Sequence, residues 1–289
     1  MFAEEWPLMT FTLLSQLAVG TFIVLMFIKA GIGNQDAQAS KAVNFGFTVV
    51  GPVTLLALIF SVFHLGDPIG APRSLFNLGS SWLSREILTC GAFLILWIAF
   101  WWLSRKGKEG SVLGWLTALV GLTVIFSMSN IYSSSVRPAW DNSNTYVAFF
   151  GATLAMGVLG ASSVIAFAMK GNSYSLTSSK TLKTMAYVGA LGVVLPLLNI
   201  PLFISGLKSG GSTAATSAQI LTENMGVLAA SALFLILGIA LLLHSLYKEG
   251  ARPARFAGII YLALVLVIAG EAMSRYLFYA IGVSPMIGS

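Results

Sequence analysis

Apolar stretches long enough to cross a bilayer recur along this chain. A hydrocarbon core of about 30 Å requires about 20 apolar residues in a helix. Runs of that length fall at about 8–30, 42–64, 84–104, 112–131, 146–170, 183–206, 218–247 and 255–281. They are continuous, so helices are expected and not the alternating strands of an outer-membrane barrel. With 57% hydrophobic and 9% charged side chains, the chain is too apolar for a water-soluble domain. The expected fold class is an all-α integral membrane protein, with eight transmembrane helices in a single domain over residues 1–289. The seventh run is long enough to tilt or to protrude from the bilayer.

The first run follows the acidic "MFAEEWP", with no Lys or Arg before it, so it is expected to stay as a helix and not to be cleaved as a signal peptide. Orientation follows from the basic residues of the short loops. Lys29, Lys41, Arg105, Lys106, Lys108, Lys170, Lys180, Lys183, Lys248, Arg252 and Arg255 share one side, and only Arg73, Arg85, Arg137, Lys208 and Arg275 belong to the other. The first side is expected to be cytoplasmic, which puts the N and C termini both outside. The net charge of +6 is then a topogenic signal spread over several loops, which argues against nucleic acid as a partner. Cys90 is the lone cysteine, so this chain by itself supplies neither a disulfide nor a cysteine-held zinc or iron–sulfur cluster. The segments "KGNSYSLTSSK" and "KSGGSTAATSAQ" are expected to be polar loops.

Against this background "SVFHLGDPIGAPRSLFNLGSSWLSRE", residues 61–86, stands out for its density of ionisable groups. His64 ends the second run and Glu86 opens the third, so both are expected at the outer boundary. Gln16 in the first run, Glu223 at the start of the seventh, and Glu271 with Arg275 in the eighth belong to the same half of the bilayer. Ionisable groups inside spans cost several kcal/mol unless paired or wet, and so face a bundle interior. Each also has a plainer role. His64 could be an interfacial histidine, Glu271 and Arg275 an i, i+4 ion pair, Arg85 a headgroup anchor, Asp67 a turn residue, and the tryptophans of "WIAFWWL" an aromatic belt or lipid-facing packing.

Two chemical readings follow. His64 and His244 would lie about a membrane thickness apart, so they are not expected to share one haem iron. Quinol oxidation makes better use of His64 and Glu86, since it releases two protons and histidine titrates near neutral pH. A secondary transporter is the competing class, resting on Pro196, Asn199 and Pro201 in "LPLLNIPLFISG" as a helix break. A third possibility is an anchor that never touches quinol.

"EWPLMTFTLLSQLAVGTFIVL", "HLGDPIGAPRSLFNLGSSWLSREIL" and "AGEAMSRYLFYAIG" resemble the membrane-anchor subunit of anaerobic dimethyl sulfoxide reductase, and "IYSSSVRPAW" echoes that family's external Tyr- and Trp-containing segment. The resemblance spans nearly the whole chain. It implies a bacterial inner-membrane subunit with no haem or metal of its own, which oxidises menaquinol. The electrons would pass to an iron–sulfur subunit and on to a catalytic subunit carrying molybdenum bis(guanine dinucleotide). The family's functional histidine maps on His64 and its glutamate on Glu86. Arg73, Ser74 and Asn77 lie in the same matching segment and would position the quinol; Gln16, Glu271 and Arg275, placed in the same half of the bilayer by their spans, are further candidate pocket residues. Related anchors serve enzymes that reduce tetrathionate, polysulfide or selenate, so the terminal acceptor stays open.

Overall fold

The computed structural model describes residues 2–32, 37–63, 76–108, 110–170, 179–248 and 257–285. These form helices α1 (Phe2–Ile32), α2 (Ala37–Phe63), α3 (Trp82–Arg105), α4 (Ser111–Ser133), α5 (Ser143–Ala168), α6 (Ser179–Ser209), α7 (Ser212–Glu223), α8 (Met225–Lys248) and α9 (Ala257–Ala280). All but α7 are long and apolar enough to cross a membrane, which gives the eight spans expected from the sequence. In hydrocarbon every backbone N–H and C=O needs a partner within the chain, and a helix supplies one locally.

The seventh span differs from its sequence-based outline. The run 218–247 is broken at Asn224, whose side chain donates to the Ile220 carbonyl at 2.9 Å and whose N–H returns to the last carbonyls of α7. Side-chain competition of this kind with the helix ladder favours a cap. Glu223 therefore ends the short α7 instead of opening a span, and it accepts from Gln219 at 2.8 Å. "KSGGSTAATSAQ" is largely helical for the same reason, since α7 starts at Ser212. Of "KGNSYSLTSSK", residues 171–178 lie outside the described residues.

The centre of the bundle is α1 against α5, the two helices buried over most of their length. Gly20 and Gly157 set their separation, because a Cβ on Gly20 would fall on the Thr153 carbonyl oxygen and 2.8 Å from the Gly157 Cα. Small residues allow this backbone approach, and dispersion then holds the pair where no hydrophobic effect acts between helices. Around them, α2, α3 and α4 gather on one side and α6, α8 and α9 on the other. Exposed Ile59, Ile95, Leu198, Leu202 and Val265 form the outer surface, as lipid requires.

The tryptophans divide. Trp102 is exposed, but Trp97 is buried and donates to the Phe47 carbonyl at 2.8 Å, while Trp101 donates to the Thr48 hydroxyl at 3.0 Å. These two bind α3 to α2 instead of joining an aromatic belt, because an indole N–H buried in a bundle needs an acceptor. Helix α6 runs unbroken through Pro196 and Pro201. A transporter site would need an interrupted helix there; instead Asn199 donates to the Asn144 side chain of α5 at 2.8 Å.

Candidate functional site

At the end of the bundle where α1 and α5 begin and α4 and α9 end, polar side chains point inward. Arg275, one turn from the end of α9, is only 4% exposed. Its Nη2 donates to the Gln16 side-chain oxygen of α1 at 3.1 Å, and the Gln16 amide nitrogen donates to the Phe149 carbonyl of α5 at 3.1 Å. The guanidinium lies 3.8 Å from the centre of the Phe149 ring and 5.5 Å from that of Phe278, so cation–π attraction replaces part of its lost hydration. Nε and Nη1 are buried without a hydrogen-bond partner. The i, i+4 ion pair with Glu271 expected from the sequence is thus not what holds the guanidinium: its hydrogen bond goes to α1. Glu271 is itself buried and lines the same cavity as Arg275.

Glu86 sits in the first turns of α3, buried from the lipid. At the same end Tyr132 of α4 and Tyr279 of α9 share a hydroxyl–hydroxyl hydrogen bond of 2.6 Å. Ser81 caps α3 by accepting from the Ser84 N–H at 3.3 Å, which fixes the helix start. Arg85 donates to the Leu78 and Gly79 carbonyls at 2.8 Å each and covers the Trp82 ring, so it braces the preceding turn. Asn77 is exposed in that turn, where its carbonyl accepts from Ser80 and Ser81. His64, Arg73 and Ser74 lie outside the described residues. His244 is exposed in the last turns of α8, at the opposite end from Arg275.

A cavity of about 90 Å³ between α5, α6, α8 and α9 is lined by Asn144, Pro196, Ser231, Glu271, Arg275 and Phe278. A wider apolar cleft of about 390 Å³ lies between α1, α8 and α9, where Trp6, Met9, Leu13, Val227, Met273 and Tyr276 face one another. Sequence reasoning missed Phe149, Tyr132, Tyr279 and Trp140 as parts of this end. Trp140 donates to the Phe278 carbonyl at 2.7 Å and stacks on its ring, tying the 134–142 turn to α9. "IYSSSVRPAW" held a hint for Tyr132 and Trp140; nothing local marked Phe149. Among the described residues no group of three or more His, Cys, Asp or Glu is gathered in metal-binding fashion.

Eight spans around a buried polar centre at one end define a polytopic membrane subunit. The family model described as DMSO reductase anchor subunit (DmsC) matches residues 1–281, and the chain belongs to that family. It is 30% identical to YnfH, an anaerobic dimethyl sulfoxide reductase subunit of Escherichia coli K12, over 96% of this chain and 95% of that one. Two further anaerobic dimethyl sulfoxide reductase subunits are similar over comparable lengths. The one from Haemophilus influenzae Rd is 27% identical, over 96% of this chain and 94% of its own length, and a second from E. coli K12 is 28% identical, over 96% and 95%. The spans and these relatives make it a multi-pass protein of the bacterial inner membrane.

Proposed function

We propose that this chain oxidises menaquinol in the membrane and passes the electrons to an iron–sulfur subunit, which feeds a molybdenum-dependent reductase of the dimethyl sulfoxide reductase type. The observation that supports this most directly is the buried guanidinium of Arg275, held by Gln16 with two of its nitrogens unpartnered, in a chain of the DMSO reductase anchor subunit family. A cation kept inside spans at this cost suits a ring oxygen that gains negative charge as its proton leaves. The balance is simple: quinol gives up two protons and two electrons and becomes quinone. His64 takes a proton and Glu86 takes or relays the other toward water, while the electrons leave singly for the nearest cluster of the partner. The isoprenoid tail fits the apolar cleft between α1, α8 and α9. The basic loops orient this end of the bundle outward, so the partner docks on the outer face and the subunit releases protons there without pumping.

The testing experiment is quinol-dependent reduction of the partner's iron–sulfur clusters in membranes, with assembly checked in parallel. His64→Ala is expected to slow it about tenfold, since Glu86 remains as an acceptor. An assembled His64→Ala complex working at the normal rate would remove His64 from the site. In the same assay Arg275→Gln is expected to cost about tenfold or more in rate, through loss of the charge that stabilises the developing oxyanion. Arg275→Lys should restore part of it, because the charge returns without the planar fork. A rate for Arg275→Gln equal to wild type would confine Arg275 to helix packing.

A further inference from the structure

Two prolines of α6 shape the polar wall of the cavity between α5, α6, α8 and α9. Pro196 and Pro201 supply no N–H, so the carbonyls of Gly192 and Leu197 lose their usual donor in the helix ladder, and both residues belong to the cavity wall. Ser231 Oγ donates to the Gly270 carbonyl at 2.9 Å and keeps its lone pairs for another donor. With Ser274 these groups surround the buried Glu271 and Arg275. At about 90 Å³ the cavity has room for several water molecules. An ionisable group inside a span faces the bundle interior or a water-filled cavity, and water is the ligand that these acceptors suit.

A larger cavity of about 490 Å³ lies next to it, between the α4–α5 and α6–α7 turns. Asp141, Ser143, Gly206, Gly210 and Gly211 of its lining are exposed, so it opens at the surface of this end of the bundle. Asn144 and Phe203 line both cavities and thus form the partition between them. The Asn144 side-chain oxygen accepts from Asn199 at 2.8 Å, and Asn199 lines the outer cavity, so one half of the partition is polar. We propose that the two cavities form a proton exit from the buried centre to the aqueous surface, with Glu271 at its inner end and the Asn144–Asn199 pair as its gate. This rests on the reading of the chain as a quinol-oxidising subunit. A proton left at the centre by one quinol passes to the Glu271 carboxylate. It leaves through water in the outer cavity, and Glu271 is ionised again before the next quinol reacts. No electron moves in this step.

Two measurements test the route. The first labels membranes that hold the assembled complex, opened so that the reagent meets both aqueous faces. Cys90→Ala removes the lone cysteine, and Ser274→Cys or Ser15→Cys then puts a single thiol in the inner cavity or in the buried face of α1. A charged, membrane-impermeant methanethiosulfonate is expected to modify Ser274→Cys and not Ser15→Cys. Gly206→Trp should suppress that modification, because it fills the outer cavity from a position where a Cβ meets nothing within 4 Å. Gly211→Trp, equally open at Cβ, serves the same purpose if Gly206→Trp fails to assemble. No modification of Ser274→Cys, or modification only by an uncharged lipid-soluble maleimide, would overturn the proposal. The second measurement compares first and later turnovers in Glu271→Gln. The first quinol-dependent reduction of the partner's clusters should keep its rate, while steady-state turnover falls about tenfold as proton exit becomes limiting. Equal slowing of both, the mark of a purely structural role, would overturn the proposal, as would a wild-type steady-state rate. If cluster reduction in the unsubstituted complex does not depend on quinol, the underlying reading fails instead, and the labelling pattern stays as it was.

Discussion

A complex carrying His64→Ala together with Glu86→Gln is expected to lose quinol-dependent cluster reduction by about 10²- to 10⁴-fold, the range over which positioned acid–base groups act. Either proton acceptor alone leaves a route for the quinol protons; without both, deprotonation falls to water that must reach a buried centre. Glu86 is suited to the second role because it is a carboxyl group buried in the first turns of α3. Glutamine keeps the shape of Glu86 and one acceptor oxygen, and removes its charge and its capacity to accept a proton. The control is reduction of the terminal acceptor driven by an artificial electron donor that bypasses the anchor, which should proceed at the normal rate. A double variant that assembles and still oxidises quinol like wild type would reject proton transfer through this pair. Loss of both activities would instead point to failed assembly.

Gly20→Leu is expected to abolish accumulation of the assembled chain in the membrane. The side chain would have to displace the Thr153 carbonyl and the Gly157 backbone, neither of which can turn aside as a flexible side chain does. Overpacking a repackable core costs about 1–3 kcal/mol. Here the strain falls on α1 against α5, the pair that α2, α4, α6 and α9 all contact, so separation of the two disturbs the bundle. Gly20→Ala should be milder and still destabilising, visible as a lower unfolding temperature in detergent. Wild-type levels and stability of Gly20→Leu would show that α1 and α5 do not approach as closely as Gly20 and Gly157 require.

The eight spans, their helical nature and the concentration of ionisable groups at one end were legible in the sequence because they are local properties. Length and apolar content decide whether a segment can cross a bilayer, and hydrocarbon leaves the backbone few other conformations. Gln16, Glu86, Glu271 and Arg275 stood out as polar residues inside apolar runs, and all four are buried. Their partners were not legible. Gln16 meets Arg275 across 259 residues of sequence, and Phe149 supplies both a carbonyl and a ring face without any unusual feature of its own. In a soluble protein an apolar stripe would show which helix face points inward. In a membrane the lipid-facing and the buried faces are both apolar, so that signal is lost, and Trp97 inside the bundle looks in sequence like Trp102 facing lipid. The break at Asn224 falls where the polar "TEN" interrupts the seventh run. What the sequence alone determined is therefore the set of spans and the residues too polar to face lipid. Which helices touch, and which of those polar groups are left with unused hydrogen bonds, was decided only by the packing of α1 on α5, because small residues fix that contact by backbone shape and not by hydropathy.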